Sequence, residues 1–215
     1  FFFTPFPFPI SSSSFFFTFI LFSFASCAVS GVIIATRLRM DPFGILVIAA
    51  VTAVGGGSMR DIMMGATPVF WIHDNNYIYT IFLSVVVSVF LLRRLHKVPS
   101  YLLLMWDALG LSTFTIVGAQ KAMLLGFSPL IVIAMGCVTG VVGGMIRDIL
   151  TGQVPFVLQK EIYATASLFG ALLFVSCTYI GFEPFIVMIV AMSGALSLRL
   201  GALYWHLSLP IFRTK

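Results

Sequence analysis

The chain reads as an all-α membrane protein. Seven transmembrane helices form a three-plus-three inverted repeat plus a seventh helix, and the second and fifth helices are kinked. Three features carry that reading. Of the 215 residues, 60% are hydrophobic and 9% charged, against about 25% charged in soluble domains; mean hydropathy is +1.11. Apolar runs long enough to cross a bilayer recur seven times. A glycine-rich stretch followed by an Arg-Asp pair occurs twice, at a fixed spacing.

A spanning helix needs about 20 mostly apolar residues. Such runs cover residues 15–36, 43–64, 77–95, 101–122, 129–151, 162–181 and 184–205, joined by short connections. Residues 1–14 form an uncharged, low-complexity lead-in, without the basic start and small-residue cleavage site of a secretory signal. The net charge of +5 says little about nucleic acid, and no nucleic-acid partner is expected. Basic residues instead report orientation, because short cytoplasmic loops collect Lys and Arg. Arg37, Arg39, Arg93, Arg94, Lys97, Arg147, Lys160, Arg213 and Lys215 fall on one side if the spans alternate. That puts the N-terminus outside and the C-terminus in the cytoplasm.

The repeat pairs "DPFGILVIAAVTAVGGGSMRDIMMGATPVF" (41–70) with "SPLIVIAMGCVTGVVGGMIRDILTGQVPFV" (128–157) at an offset of 87 residues. Thr52 falls on Thr139, Gly56 and Gly57 on Gly143 and Gly144, Arg60–Asp61 on Arg147–Asp148, and Gly65 on Gly152. Gly31 meets Gly118, and after a one-residue gap Tyr77 meets Tyr163. The first unit covers 15–96, the second 97–182, and the seventh helix with its tail 183–215. Three spans per unit, an odd number, insert the second copy upside down relative to the first, as in many transporters and channels.

Gly55, Gly56 and Gly57, and Gly143 and Gly144 in the second copy, weaken helices where hydrocarbon tolerates no unsatisfied backbone. Residue 43 to Gly55 is about 18 Å of helix against a core about 30 Å thick, so the weak point lies beyond mid-depth. Two readings fit. Gly136, Gly140 and Gly144, with Ala49, Ala53 and Gly57 in the equivalent places, form small-residue ladders that pack helices closely. Alternatively the packed pair also lines a polar path, with Thr52, Ser58 and Thr139 nearby. Intramembrane charges favour the second, since such residues face a wet interior. Adjacent helical residues point about 100° apart, so Arg60 and Asp61 are expected to pair elsewhere rather than with each other, as are Arg147 and Asp148. Asp107, Gly110, Gly118 and Lys121 share one face of the fourth span. Asp107 and Lys121 are about 21 Å apart along it, too far for an ion pair. Lys121 either snorkels or sits as a charge beside the path. Arg199 in the seventh span is read as an intramembrane pairing residue.

Catalytic and metal chemistry find no support. Cys27, Cys137 and Cys177 lie in apolar runs without CxxC spacing, and His73, His96 and His206 fall in loops or near span ends. "GGGSM" fails the G-x-S-x-G pattern because Arg60 replaces the last glycine. No cofactor or metal is expected, and no enzyme.

"TAVGGGSMRDIMMGATPVFW", "DALGLSTFTIVGAQKAM" and "VTGVVGGMIRDILTGQVPFVLQKEIYA" resemble the TRIC family, the trimeric intracellular cation channels, and its prokaryotic branch most closely. The resemblance covers about residues 25–205. It implies a homotrimer in the prokaryotic inner (plasma) membrane, each protomer holding a pore for monovalent cations, chiefly K+. The pore would run between the second and fifth helices, with Gly55, Gly56, Gly57, Gly143 and Gly144 as kinks and Lys121 as the charge linked to voltage response. Membrane lipids are the other partners. Arg60, Asp61, Arg147, Asp148 and Asp107 are read as pore-mouth or gating charges. The Lys-Glu-Val motif of animal members is absent, and Ile20 stands where the repeat would match Asp107. Some prokaryotic sequences of this family are labelled glycine transporters, so a carrier for glycine or another small zwitterion is the alternative.

Overall fold

The computed structural model describes residues 14–94, 99–159, 162–205 and 207. Residues 1–13 of the lead-in, His96, Lys97, Lys160, His206, Arg213 and Lys215 lie outside the described residues. Seven long helices follow one another: α1 (Ser14–Arg37), α2 (Pro42–Met63), α3 (Asn76–Leu92), α4 (Ser100–Leu124), α5 (Pro129–Leu150), α6 (Ala164–Ile180) and α7 (Pro184–Tyr204). A single helical turn, Phe70–His73, and a 3-10 turn, Phe156–Leu158, sit in the loops after α2 and α5. Among the described residues every regular element is helical. Five helices, α1, α2, α4, α5 and α7, are long and apolar enough to cross a membrane; α3 and α6 are shorter apolar helices of 17 residues.

Local sequence explains where the helices start and stop. Proline occupies the first turn of α2, α5 and α7, where its missing N–H costs nothing. The Asp41 carboxylate caps α2 by accepting from the Gly44 N–H at 2.9 Å. Gly65, Gly126 and Gly152 adopt positive φ of 66°, 77° and 68° just past α2, α4 and α5. After α2, Ala66 N–H donates to the Asp61 carbonyl and Gly65 N–H to that of Ile62; after α5, Gln153 and Gly152 do the same to Asp148 and Ile149. This is the Schellman pattern, which needs a residue free to turn left-handed. It reverses the chain over the end of each helix, which matters for the carboxylates described below.

The packing repeats itself. α1 lies on α2 and α3 as α4 lies on α5 and α6, and the two triplets meet through α2 against α5 and α1 against α4. α7 covers α6 and α4. Phe24, Val32, Ile33 and Ala49 belong to the core of the first triplet, and Ile116, Val132, Phe174 and Val187 to that of the second.

Candidate functional site

At the centre of the bundle α2 and α5 touch backbone to backbone. A Cβ on Gly56 would strike the Thr139 carbonyl oxygen, and one on Gly143 would strike the Thr52 carbonyl. The pairs run in opposite directions along the two helices, so α2 and α5 are antiparallel here, as an inverted repeat requires. Both helices stay continuous through their glycines. The weakened segments are points of close approach, not interruptions, and Gly55, Gly56 and Gly143 are buried in the crossing.

The two threonines expected near a polar path lie at this crossing, each with its hydroxyl proton committed to its own helix. Thr52 Oγ1 donates to the Ile48 carbonyl and Thr139 Oγ1 to that of Met135, each at 2.6 Å. Gly31 of α1 and Gly118 of α4 press on these two side chains. A β-branched hydroxyl bonded to its own helix satisfies itself and leaves a smooth surface for a glycine to cross. Ser58 likewise accepts from the Trp71 indole Nε1 at 3.1 Å.

On either side of the crossing, about 9 Å away by helical rise, lies a charged cluster. On α2, Asp61 Oδ1 accepts from Arg60 Nε at 2.9 Å and pairs with Arg60 Nη2 at 2.7 Å and Lys121 Nζ at 2.8 Å. On α5, Asp148 Oδ1 accepts from Arg147 Nε at 2.9 Å and lies 2.8 Å from its Nη2. The adjacent Arg and Asp therefore do pair with each other, contrary to the expectation from helical angle alone. An arginine stem is long enough to swing its guanidinium around to the next residue, and burial leaves it no water to prefer. The remaining Asp oxygen explains the turn: Asp61 Oδ2 accepts from Phe70 N–H at 3.1 Å, and Asp148 Oδ2 from Phe156 N–H at 3.2 Å. The chain reversals at Gly65 and Gly152 bring these amides back. Each guanidinium then lies over the same phenylalanine, Arg60 over Phe70 at 5.7 Å and Arg147 over Phe156 at 5.5 Å.

α4 breaks the symmetry. Its Lys121 joins the first cluster, and its Asp107 joins the second through Oδ1 to Arg147 Nη1 at 2.7 Å. Each thus finds a partner on another helix, as their separation demands. The places on α1 that match them by the repeat hold Ile20 and Ile34. The first cluster has two cations against one carboxylate, the second one cation against two. Arg147 Nη1 also donates to Ser30 Oγ at 2.9 Å, while Asp107 Oδ2 is buried with no hydrogen-bond partner. Arg147 is fully buried, so it belongs to this cluster and not to a basic loop. Lys121 turns inward to Asp61 with its side chain 32% exposed, instead of snorkelling. Arg199 is buried against Tyr163, its Cζ 4.9 Å from the ring centroid, and donates to the Ile162 carbonyl.

Two cavities reach these clusters. One of about 220 Å³ is lined by Gly57, Arg60, Lys121, Gln120 and the rings of Phe24, Phe70, Tyr77 and Phe114. Gln120 is 4% exposed, and neither of its amide atoms has a hydrogen-bond partner. The other, of about 310 Å³, is lined by Asp148, Arg37, Ser100, Gln153 and Gln159. Gly144 borders the second cluster through Tyr163 Oη, Asp107 and Arg147. Sequence reasoning missed Gln120, Ser30, Phe70 and Phe156. The phenylalanines were findable, because they match at the same gapped offset as Tyr77 and Tyr163.

An inverted pair of three-helix units with charged clusters held inside, and cavities reaching them from two ends, defines a polytopic membrane protein of the transporter and channel class. The family described as "Glycine transporter" matches residues 17–93 and 104–179. A UPF0126 membrane protein of Vibrio cholerae is 44% identical over 192 residues, 89% of this chain and 80% of that one. The UPF0126 inner membrane protein YadS of Escherichia coli K12 is 41% identical over 86% of this chain and 90% of its own. The crystal structure of the TRIC trimeric intracellular cation channel orthologue from Rhodobacter sphaeroides is similar at a TM-score of 0.83 and 36% identity, covering 91% of this chain and all of that one. The chain belongs to this family, which takes in the UPF0126 membrane proteins and the prokaryotic TRIC channels.

Proposed function

We propose that the chain is a cation channel of the plasma membrane, non-enzymatic, working as a homotrimer in which each protomer passes monovalent cations, K+ among them, between α2 and α5. The observation that carries this reading is the pair of cavities that approach the Gly56–Gly143 crossing from opposite ends, each ending at a charged cluster. The solved TRIC channel that this chain resembles supports it.

In this conformation the backbones meet at the crossing, leaving no room there for an ion. Conduction needs α2 and α5 to separate, and glycines allow that because no side chains interlock at the contact. The carbonyls of Thr52 and Thr139, now covered by the opposing glycines, would then face the gap and replace part of an ion's hydration shell. Lys121–Asp61 ties α4 to α2, and Asp107–Arg147 ties α4 to α5, so α4 latches both sides of the closed crossing. The unpartnered Asp107 oxygen favours a cation over an anion on that side. The orientation with the N-terminus outside and the C-terminus in the cytoplasm rests on the distribution of arginines.

A second reading, a carrier for glycine or another small zwitterion, is favoured by the smaller cavity. Two cations suit a carboxylate, while the Gln120 oxygen and the aromatic faces suit an ammonium group. Purified protein in planar bilayers separates the two. Unitary cation currents far above carrier turnover support the channel. Saturable glycine counterflow without such currents refutes it in favour of the carrier.

A further inference from the structure

A different concavity lies on the outside of the bundle. A groove of about 760 Å³ runs between the end of α1, the first turns of α2 and the outer face of α3. Phe43, Leu46, Phe82, Val86 and Phe90 make it apolar. Phe82 and Arg93 both line it, and the length of α3 between them is about 16 Å, the depth of one leaflet of a core about 30 Å thick.

Charge gathers at one end only. Arg93 closes the groove where α3 stops, and the Arg94 guanidinium stands 5.1 Å above the Phe90 ring. Arg39 is exposed in the α1–α2 turn, beside the groove-lining Met40. Asp41 shares that turn, but its carboxylate is engaged in capping α2. The Thr36 hydroxyl, also at this end, is buried with no hydrogen-bond partner. Basic groups at the rim and an apolar trough one leaflet deep match a phospholipid, with phosphate above and acyl chain below. A second copy of the chain in the same membrane orientation would have to bring acids to that rim. Among the described residues, Asp74 and Glu183 lie in the connections at the opposite end of the helices, and Asp107 and Asp148, toward this end, are buried in the second cluster, so Asp41 is the one exposed acid described there.

We propose that this groove binds one anionic phospholipid per protomer, its phosphate held by Arg93 and Arg94 and an acyl chain laid along Phe82, Val86 and Phe90. The site stands apart from the α2–α5 crossing and holds whether the chain conducts ions or carries a solute.

The test is native mass spectrometry of the full chain, purified in detergent and equilibrated with equal amounts of phosphatidylglycerol and phosphatidylcholine. Phosphatidylglycerol is expected to remain preferentially, one per protomer. Replacing both arginines (R93Q with R94Q) should lower that preference by about tenfold or more, the effect of removing two basic contacts. Val86→Trp, at a half-exposed position, fills the trough and should remove bound lipid of either headgroup. Equal retention of the two lipids, or phosphatidylglycerol retention unchanged in both variants, overturns the proposal. Loss of the oligomer in Val86→Trp with lipid retention unchanged also overturns it, assigning the groove to a second copy.

Discussion

Gly56 on α2 and Gly143 on α5 each press against the other helix's backbone, at the carbonyls of Thr139 and Thr52 respectively. The contact is reciprocal because the two glycines are the same position in two inverted copies. A side chain at either one has nowhere to go but into peptide backbone. The crossing is the tightest constraint that the sequence places on the candidate site, and several consequences can be measured.

Gly56→Ala and Gly143→Ala should destabilise the protein by similar amounts, about 1–3 kcal/mol each, the range for overpacking a filled interior. Gly65→Ala provides the comparison. Its φ is +66° and nothing lies within 4 Å of an added Cβ, so it loses only the left-handed conformation, about 1–2 kcal/mol. Thermal unfolding in detergent ranks them. A difference in kind appears in the double variant: Gly56→Ala with Gly143→Ala should depart from additivity because both act on one contact, while Gly56→Ala with Gly65→Ala should add.

Arg147→Gln should cost about 3–5 kcal/mol, since it strips the cation from two buried carboxylates, Asp107 and Asp148. Adding Asp107→Asn should recover part of that loss, because one of the two uncompensated charges is gone. A double-mutant cycle on melting temperature reads the coupling. Fully additive losses would show that the short Arg147–Asp107 distance carries no energy.

Lys121→Gln should behave differently. Its side chain is 32% exposed and Asp61 keeps Arg60, so the stability loss is about 1 kcal/mol or less. Removing a cation from the cavity mouth should raise unitary cation conductance. The gain should be larger at about 0.01 M salt, where the Debye length is about 30 Å, than at about 1 M, where it is about 3 Å. A conductance change independent of ionic strength would contradict an electrostatic role.

Most of this architecture was legible in the residues. Apolar runs located seven helices, because a helix is the one open-ended structure that satisfies its own backbone in hydrocarbon. The internal offset located the crossing, since matched glycines in inverted copies must meet if the helices pair. Side-chain geometry was less legible. The 100° rule separated Arg60 from Asp61, but it tracks Cβ directions and takes no account of a long arginine stem in a dry interior. Spacing puts Thr52 and Thr139 near the path but does not show that each hydroxyl donates to the i−4 carbonyl of its own helix. Arg147 counts among the basic residues that flank a connection because it stands near the end of its span. Only the return of Phe156 over the helix end, fixed by Gly152, shows why it is enclosed.

The most direct test is single-channel recording of the native chain beside Gly56→Ala, Gly143→Ala and Gly170→Ala in planar bilayers. Gly170 packs as tightly, against Ala195 between α6 and α7, but away from the crossing. A methyl group at Gly56 or Gly143 wedges α2 from α5, so both variants should show a raised open probability for cations, while Gly170→Ala records like the native chain. Crossing variants that reach the bilayer folded and conduct as the native chain does would contradict a passage gated by that contact.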